Sequence, residues 1–371
     1  MPLPAGTILI VADNAQGKSN LLEGIYMLSI SKSYRARKDE EMIRTNTAAN
    51  PNYCKVSADI NNDGMRTQIQ IFFESRPGSN TVKASTQKHI RLNGVPKKSS
   101  DIVGLFNAVL FTASDLDLIY GSPSLRRRYI DILLSQVSKE YLDALRRYQK
   151  SLRQRNHLLR KIRGGTSNKN ELSYWDSQLA ENGSIILSIR LKAVQELSCH
   201  ANNLHHDLSK SKEGMACAYN STLPIESNYS TPELSKKLAY TLETSREKDL
   251  LAGATTAGPH RDDLQIFVNN KDSARFSSRG QSRTAVLALK LSEAQFLAKN
   301  RGYEPVLLLD DILSELDSTR RDQVLNHISS YEQCIITTAE PSSISNTFIK
   351  STTTQFTIDQ GSIFTVPEIL S

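Results

Sequence analysis

The chain has 371 residues, enough for about two domains or one large core carrying an insertion. Hydrophobic residues at 39% and charged residues at 23% are ordinary globular usage, which excludes a wholly disordered or collagen-like chain. The net charge is +7, yet Leu125 to Gly164 alone holds twelve Lys/Arg against three Asp/Glu, a local +9 that leaves −2 elsewhere. So local an excess points to a polyanionic partner. No apolar run approaches the ~18 residues of a membrane helix. Met1-Pro2-Leu3-Pro4 carries no basic n-region, so a cytoplasmic protein without leader or membrane span is expected. Cys54, Cys199, Cys217 and Cys334 lie far apart, with no C-x-x-C and no nearby His pair. They read as four buried or inert thiols, without a structural metal.

In chain order, Thr7–Val11 is a short β-branched run of the kind a buried parallel strand shows. A polar loop, Ala12–Gly17, follows, and Lys18 opens a helix with Leu21, Leu22, Ile25, Tyr26 and Leu28 at helical spacing. From Tyr53 to Leu92 the pattern alternates, with turns at Asn61-Asn62-Asp63-Gly64 and Asn93-Gly94, which predicts an antiparallel β-region. From Leu125 the period is helical through Leu152. A break at Gly164–Asn168 precedes a second helical stretch from Trp175 to Leu204, so an αα-hairpin is expected. Val306–Leu309 and Ile335–Thr337 are further buried-strand candidates. The class is α/β: a head interrupted by a helical insertion. Its expected parts are residues 1–120, 121–250 (the basic helical lobe) and 251–371.

Three segments carry chemistry. Ala12-Asp13-Asn14-Ala15-Gln16-Gly17-Lys18-Ser19 fits the phosphate-binding pattern G-x-x-x-x-G-K-[ST] with Ala in place of the first Gly. Such a loop aims backbone N–H groups and a helix N-terminus at phosphates. Lys18 would then reach the β- and γ-phosphates and Ser19 would ligate Mg2+. Val306–Asp311 ends a buried run in paired acids, where a strand's C-terminal end meets the ligand crevice of an α/β sheet. Asp310 could hold Mg2+ and Asp311 could polarise an attacking water; alone, the run is only a strand entering an acidic turn. Ser277-Ser278-Arg279-Gly280-Gln281 precedes an amphipathic helix, offering anion-directed amides or simply a helix cap.

Together with Ser314–Asp317, these segments make the chain resemble the RecF family of DNA-repair proteins, which carry a P-loop ABC-type ATPase head with an antiparallel β-region and an inserted helical lobe. The resembling stretches are VADNAQGKSNLLEGIY, SKSYRARKDEEMIR, LFTASDLDLIYGSPSLRRRYID, TAGPHRDDL, FSSRGQSRTAVLALKLSEAQ and LLLDDILSELDSTRR, nearly the whole chain. The resemblance implies a slow ATPase acting as a switch, with ATP and Mg2+ as cofactors and an ATP-dependent homodimer. It further implies binding to gapped, single-stranded and double-stranded DNA, and work with RecR, RecO and RecA in gap repair and the SOS response. The family's phosphate loop falls on Ala12–Ser19, its metal acid on Asp310 and its catalytic acid on Asp311. Its signature turn, which closes on the nucleotide of a second protomer, falls on Ser278, Gly280 and Gln281. Family members start about twenty residues earlier, so the sheet is expected to lack two strands or the start to lie upstream.

Arg126, Arg127, Arg128, Arg146, Arg147 and Lys150 are the candidate DNA contacts, since an excess of nine within forty residues leaves few local partners. A solvated helix face is the plainer alternative. Few aromatics interleave with them, so base stacking is not signalled. His260, in Gly258–Asp263, is assigned no catalytic role. Two other readings stay open from the residues: a different P-loop enzyme or transporter subunit, and a DNA-binding protein whose ATPase has decayed.

Overall fold

A computed structural model describes residues 1–43, 53–62, 64–76, 85–210, 213–226, 228–341, 344, 348–349 and 352–366. Asp63 of the expected Asn61–Gly64 turn and Arg44, which ends one resembling stretch, lie outside them. The strands are β1 (Gly6–Val11), β2 (Tyr53–Asn62), β3 (Met65–Arg76), β4 (Ser85–Leu92), β5 (Val95–Lys97), β6 (Ala108–Phe111), β7 (Met215–Asn220), β8 (Asp263–Val268), β9 (Lys271–Asp272), β10 (Val306–Asp310), β11 (Gln333–Thr338), β12 (Thr354–Asp359) and β13 (Ser362–Thr365). The longer helices are α1 (Lys18–Ile30), α2 (Pro123–Val137), α3 (Lys139–Arg163), α4 (Leu172–Leu208), α5 (Thr231–Thr244), α6 (Arg246–Ala252), α7 (Arg279–Arg301) and α8 (Ser318–Ile328).

Two compact units form, Met1–Ala113 with Leu297–Ser371, and Ser114–Phe296. The second boundary differs from an insertion ending at 250. Residues 251–296 stay with the helices because β8 pairs with β7 and the loop leading into β8 is hydrogen-bonded to helical residues Arg127 and Arg190.

In the first unit a six-stranded sheet has the order β13-β12-β1-β11-β10-β6, parallel except for the β12–β13 hairpin. β1 is therefore interior, flanked by β11 and β12, and Ile8, Leu9 and Ile10 are fully buried. That environment explains the unbroken apolar run, since a parallel strand is covered on both faces. The antiparallel sheet β2-β3-β4-β5 lends Ile69, Ile71 and Phe73 to a core shared with Met27 and Leu28 of α1. Its turn Asn93-Gly94 has both residues at positive φ, the mirror-image geometry a tight hairpin requires.

In the second unit α3 and α4 form the expected hairpin. The helical period from Leu125 is interrupted at Ser138, which lies in an extended conformation and accepts the Tyr141 N–H at 3.1 Å. This N-cap ends α2 and starts α3 without disturbing the apolar spacing, so periodicity alone reads one helix where two form. At Gly183 a Cβ would stand 2.4 Å from Leu238 Cδ2, so α4 and α5 approach closely only over a glycine. The small sheet β7-β8-β9 has no counterpart in the sequence reading. The free edge of β7 is closed by α4: Asn202 Oδ1 accepts from Met215 N–H at 3.0 Å and Ser198 Oγ from Cys217 N–H at 2.9 Å.

The four thiols differ in burial. Cys217 and Cys334 are buried, Cys54 is half-buried and Cys199 is exposed on α4. Burial pushes the Cys217 thiol up to about 12. Among the described residues no helix is long and apolar enough to cross a membrane.

Candidate functional site

The loop from Ala12 to Gly17 joins β1 to α1. Gly17 caps α1 at φ 110°, a conformation that needs glycine, and Ala15 also lies at positive φ, 66°. Ala12 is absent from the positive-φ residues, so the alanine at the first glycine position causes no backbone strain. Asp13, Asn14 and Ala15 are exposed, while Gln16 is tied to the β12–β13 turn. Its Oε1 accepts from Gln360 N–H at 2.6 Å and its carbonyl from Gly361 N–H at 3.2 Å. Lys18 is 6% exposed, and its ammonium donates back into the loop, to Ala12 O at 2.5 Å and Asp13 O at 3.2 Å. A cation folded into a loop's own carbonyls is held ready for a stronger acceptor at the same place.

The acids arrive from β10, whose residue Asp310 is in register with Thr337 of β11. Ser19 Oγ donates to Asp310 Oδ1 at 2.9 Å, bringing together residues 291 positions apart. Thr337 Oγ1 lies 3.2 Å from the same oxygen and accepts Asp311 N–H at 3.2 Å. Tyr34 OH donates to Asp310 Oδ2 at 3.4 Å. Tyr34 is delivered by the turn after α1, where Ser33 Oγ accepts both Arg35 N–H (3.0 Å) and Ala36 N–H (2.7 Å) and donates to Glu23. Burial first, then the charge of Asp310, raises the Tyr34 hydroxyl's pKa, so it remains a donor.

Asp311 sits in the left-handed region at φ 54°, and its Oδ1 is buried with no hydrogen-bond partner. A native buried polar atom left unsatisfied costs about 1–3 kcal/mol and requires a reason such as catalysis or an incoming ligand. Hydroxyl and carboxylate oxygens at Ser19 and Asp310 are a donor set suited to a hard divalent cation. The orphan oxygen of Asp311 beside them fits a site completed by a nucleotide and its metal.

The Ser277–Gln281 turn belongs to the second unit, at the N-terminus of α7. Ser278 N–H donates to Gln281 Oε1 at 2.8 Å and Gln281 N–H to Ser278 Oγ at 3.3 Å, a reciprocal cap. Ser278 is exposed and Gly280 half-buried. Gln281 is held at both ends of its amide. Its Nε2 donates to Glu213 Oε1 at 2.6 Å, so both ends of its amide are engaged within its own unit.

The candidate DNA residues also divide. Arg126 grips Asp263 with two bonds of 2.8 Å, and Arg127 donates to Asp262 O at 2.8 Å, so both fix the Gly258–Asp263 loop. Those partners are over a hundred residues away, which a local charge count cannot register. Arg128 is exposed. Arg146, Arg147 and Lys150 are exposed on α3, where Arg146, Lys150, Arg153, His157, Arg160 and Lys161 recur at three- and four-residue spacing along one face. His260 is structural: Nε2 faces Thr255 O at 3.1 Å, Nδ1 faces Tyr148 OH at 2.7 Å, and burial lowers its pKa to about 4.

Sequence reasoning missed Tyr34 and Thr337. Tyr34 lies inside a resembling stretch and Thr337 inside an expected strand, but neither carries a local motif. Their only signal is proximity to Asp310.

The family model described as RecF/RecN/SMC N terminal domain matches residues 1–362. The DNA replication and repair protein RecF of Clostridium novyi is 38% identical over 336 residues, covering 90% of this chain and 87% of that protein. A solved structure of the recombination mediator protein RecF-ATP in the RecFOR pathway aligns with TM-score 0.87 and 32% identity, over 99% of this chain and 93% of its own. An SMC head bound to the C-winged helix domain of ScpA aligns at TM-score 0.52 and 17% identity, over 99% of this chain and 91% of its own, a likeness of fold alone. The α/β head with its antiparallel sheet and helical lobe is the fold of this ATPase class, and the chain belongs to the RecF family of DNA replication and repair proteins.

Proposed function

We propose that this chain is an ATP-controlled DNA-binding protein of recombinational gap repair, dimerising on ATP and acting with RecR, RecO and RecA. The observation that carries the reading is the 2.9 Å bond between Ser19 and Asp310, beside the unpartnered Oδ1 of Asp311. Family relatives named for DNA replication and repair, and an ATP complex among the similar structures, support it.

In this reading the loop amides of Asp13–Gly17 and the N-terminus of α1 surround the β-phosphate. Lys18 moves its ammonium from Ala12 O and Asp13 O to the β/γ-phosphate oxygens, exchanging neutral acceptors for charged ones. Ser19 Oγ and Asp310 would hold Mg2+, with Thr337 and Tyr34 keeping the Asp310 carboxylate in place. When bound, Mg2+ would neutralise charge gathering on the phosphates. Asp311 Oδ1 accepts a hydrogen bond from the attacking water and orients it. Its side chain is one methylene shorter than a glutamate, consistent with a slow switch rather than a fast turnover enzyme.

One face of the triphosphate is then covered by the first unit's loop. The Ser278 hydroxyl and the amides near Gly280 of a second copy cover the other. ATP thereby joins two copies, and hydrolysis removes the charge that held them. The exposed α3 cations hold the DNA phosphate backbone in a sequence-tolerant way.

Lys18→Ala tests the reading. Removing the buried ammonium is expected to lower ATP affinity by at least tenfold and to abolish ATP-dependent dimerisation, measured by calorimetry and light scattering. Unchanged ATP affinity in the variant would place the nucleotide elsewhere.

A further inference from the structure

Gln281 stands in the signature turn yet presents no free amide group, and its outer partner is Glu213. Glu213 lies shortly before β7, and it and Gly214 are gripped from several sides. Glu213 O faces the ring Nδ1 of buried His205 at 3.3 Å, and its Oε2 lies 3.9 Å from that ring's Nε2. Gly214 N–H donates to Asn269 Oδ1 at 3.0 Å, and its carbonyl accepts from Asn269 N–H at 2.9 Å. Met215 N–H donates to Asn202 of α4. Glu213 is thus a fixed point set by α4 and the β8–β9 turn, not a free surface carboxylate.

From that point a short chain of bonds runs into the turn. Glu213 Oε1 accepts from Gln281 Nε2 at 2.6 Å, Gln281 Oε1 accepts from Ser278 N–H at 2.8 Å, and Gln281 N–H donates to Ser278 Oγ at 3.3 Å. Gln281 fixes which way the Ser278 hydroxyl and the following amides face, and Glu213 fixes which way the Gln281 amide is turned. With Glu213 bound, the NH2 end must point at the carboxylate and the oxygen end at Ser278 N–H. Without it, the amide is free to rotate and the reciprocal cap loses its outer anchor.

We propose that Glu213 is a positioning residue for the signature turn, acting through Gln281, and that it ties the end of α4, and so the basic helical lobe, to the face that closes on a second copy's nucleotide. This rests on the composite-site reading above. The link stiffens the turn before a partner copy arrives, so that less ordering remains to be done when two copies meet.

The test compares Glu213→Ala with Glu213→Gln in the full-length chain, using ATP with Mg2+. Three readouts are taken: monomer ATP affinity by calorimetry, ATP-dependent dimerisation by light scattering over a protein concentration series, and melting temperature. Glu213→Ala is expected to keep the ATP affinity of the monomer, because the phosphate loop lies in the other unit, and to weaken the dimer about tenfold. Glu213→Gln retains a carbonyl acceptor at Oε1 and is expected to stay within about threefold of the parent, a rescue that general destabilisation would not give. Should Glu213→Ala fold poorly, Gln281→Ala, in a half-exposed turn, is expected to give the same tenfold weakening.

Dimerisation as tight as the parent's in folded Glu213→Ala, or in Gln281→Ala where Glu213→Ala does not fold, would overturn the positioning role. Equal weakening by Glu213→Gln and Glu213→Ala would overturn the hydrogen-bond basis of it. A parent protein that binds ATP and stays monomeric would instead fail the composite-site reading, and is recognised without any variant.

Discussion

The two faces of α3 carry the same residue type and do different things. On the inward face Arg155, fully buried, donates to Asp176 Oδ1 and Asp249 Oδ2 at 2.6 Å each and to Thr255 Oγ1 at 2.8 Å. Arg246 adds two bonds to Asp176, and Asp249 also accepts from Thr256 N–H and Oγ1. On α4, Arg190 repeats the arrangement, with Asp131, Tyr141, Tyr219 and Pro259 O around it. On the outward face Arg146, Lys150, Arg153, Arg160 and Lys161 are exposed. The +9 of this segment is therefore two populations. Buried Arg155 and half-buried Arg126 are matched by carboxylates brought from later in the chain, while the exposed cations of the outward face of α3 face solvent.

That contrast can be broken most directly at Arg155. Replacing it by Met leaves Asp249, itself fully buried, facing an apolar chain, and removal of one partner of a buried pair costs about 3–5 kcal/mol. Urea unfolding is expected to show a loss of that size; a loss below about 1 kcal/mol would mean the inward cations are replaceable packing.

A smaller effect should come from acid. His260 titrates near 4 when folded and near 6.5 when unfolded, because burial disfavours its charged form. Above pH 6.5 both states are neutral and the stability is complete. As pH falls from 6.5 to 4 the unfolded chain takes up the proton first, and up to about 3 kcal/mol is lost. His260→Gln is expected to flatten that part of the stability–pH curve. An unchanged curve would remove His260 from the buried network.

The smallest change in stability belongs to the outward face. Reversing Arg146, Arg147 and Lys150 to Glu should alter stability by no more than about 0.5 kcal/mol per site. The same variant should bind DNA more weakly and with a shallower dependence on salt, because fewer counterions are released. Parent-like binding across a salt series would move the DNA interface off α3.

Much of the head was legible because its chemistry is contiguous. Gly17, Lys18 and Ser19 in succession make the pattern of a phosphate-binding loop wherever the chain goes next, and four apolar residues ending in Asp310-Asp311 read as a buried strand. The fold around them was legible where the period was clean, as in the β2–β3–β4 meander and the α3–α4 hairpin. What could not be read were pairings across long separations. Thr337 and Tyr34 converge on Asp310 from 27 and 276 residues away. Arg126 and Arg127 looked like free cations until Asp262 and Asp263 were brought to them. The bond from Gln281 to Glu213, 68 residues earlier, has no local signal either. Ser138 escaped because a cap changes the backbone and leaves the apolar spacing intact.

The closing of β7 by α4 has a consequence for how this lobe comes apart. Strand amides usually exchange with solvent when their sheet opens, but those of Met215 and Cys217 are bonded to side chains of a helix. Their exchange rates therefore follow the lifting of α4 from the strand, while the amides that face β8 follow the separation of the ladder. One strand so carries two clocks, one for the helix and one for the sheet. A partner that loosens α4 would speed the first and leave the second running at its own pace.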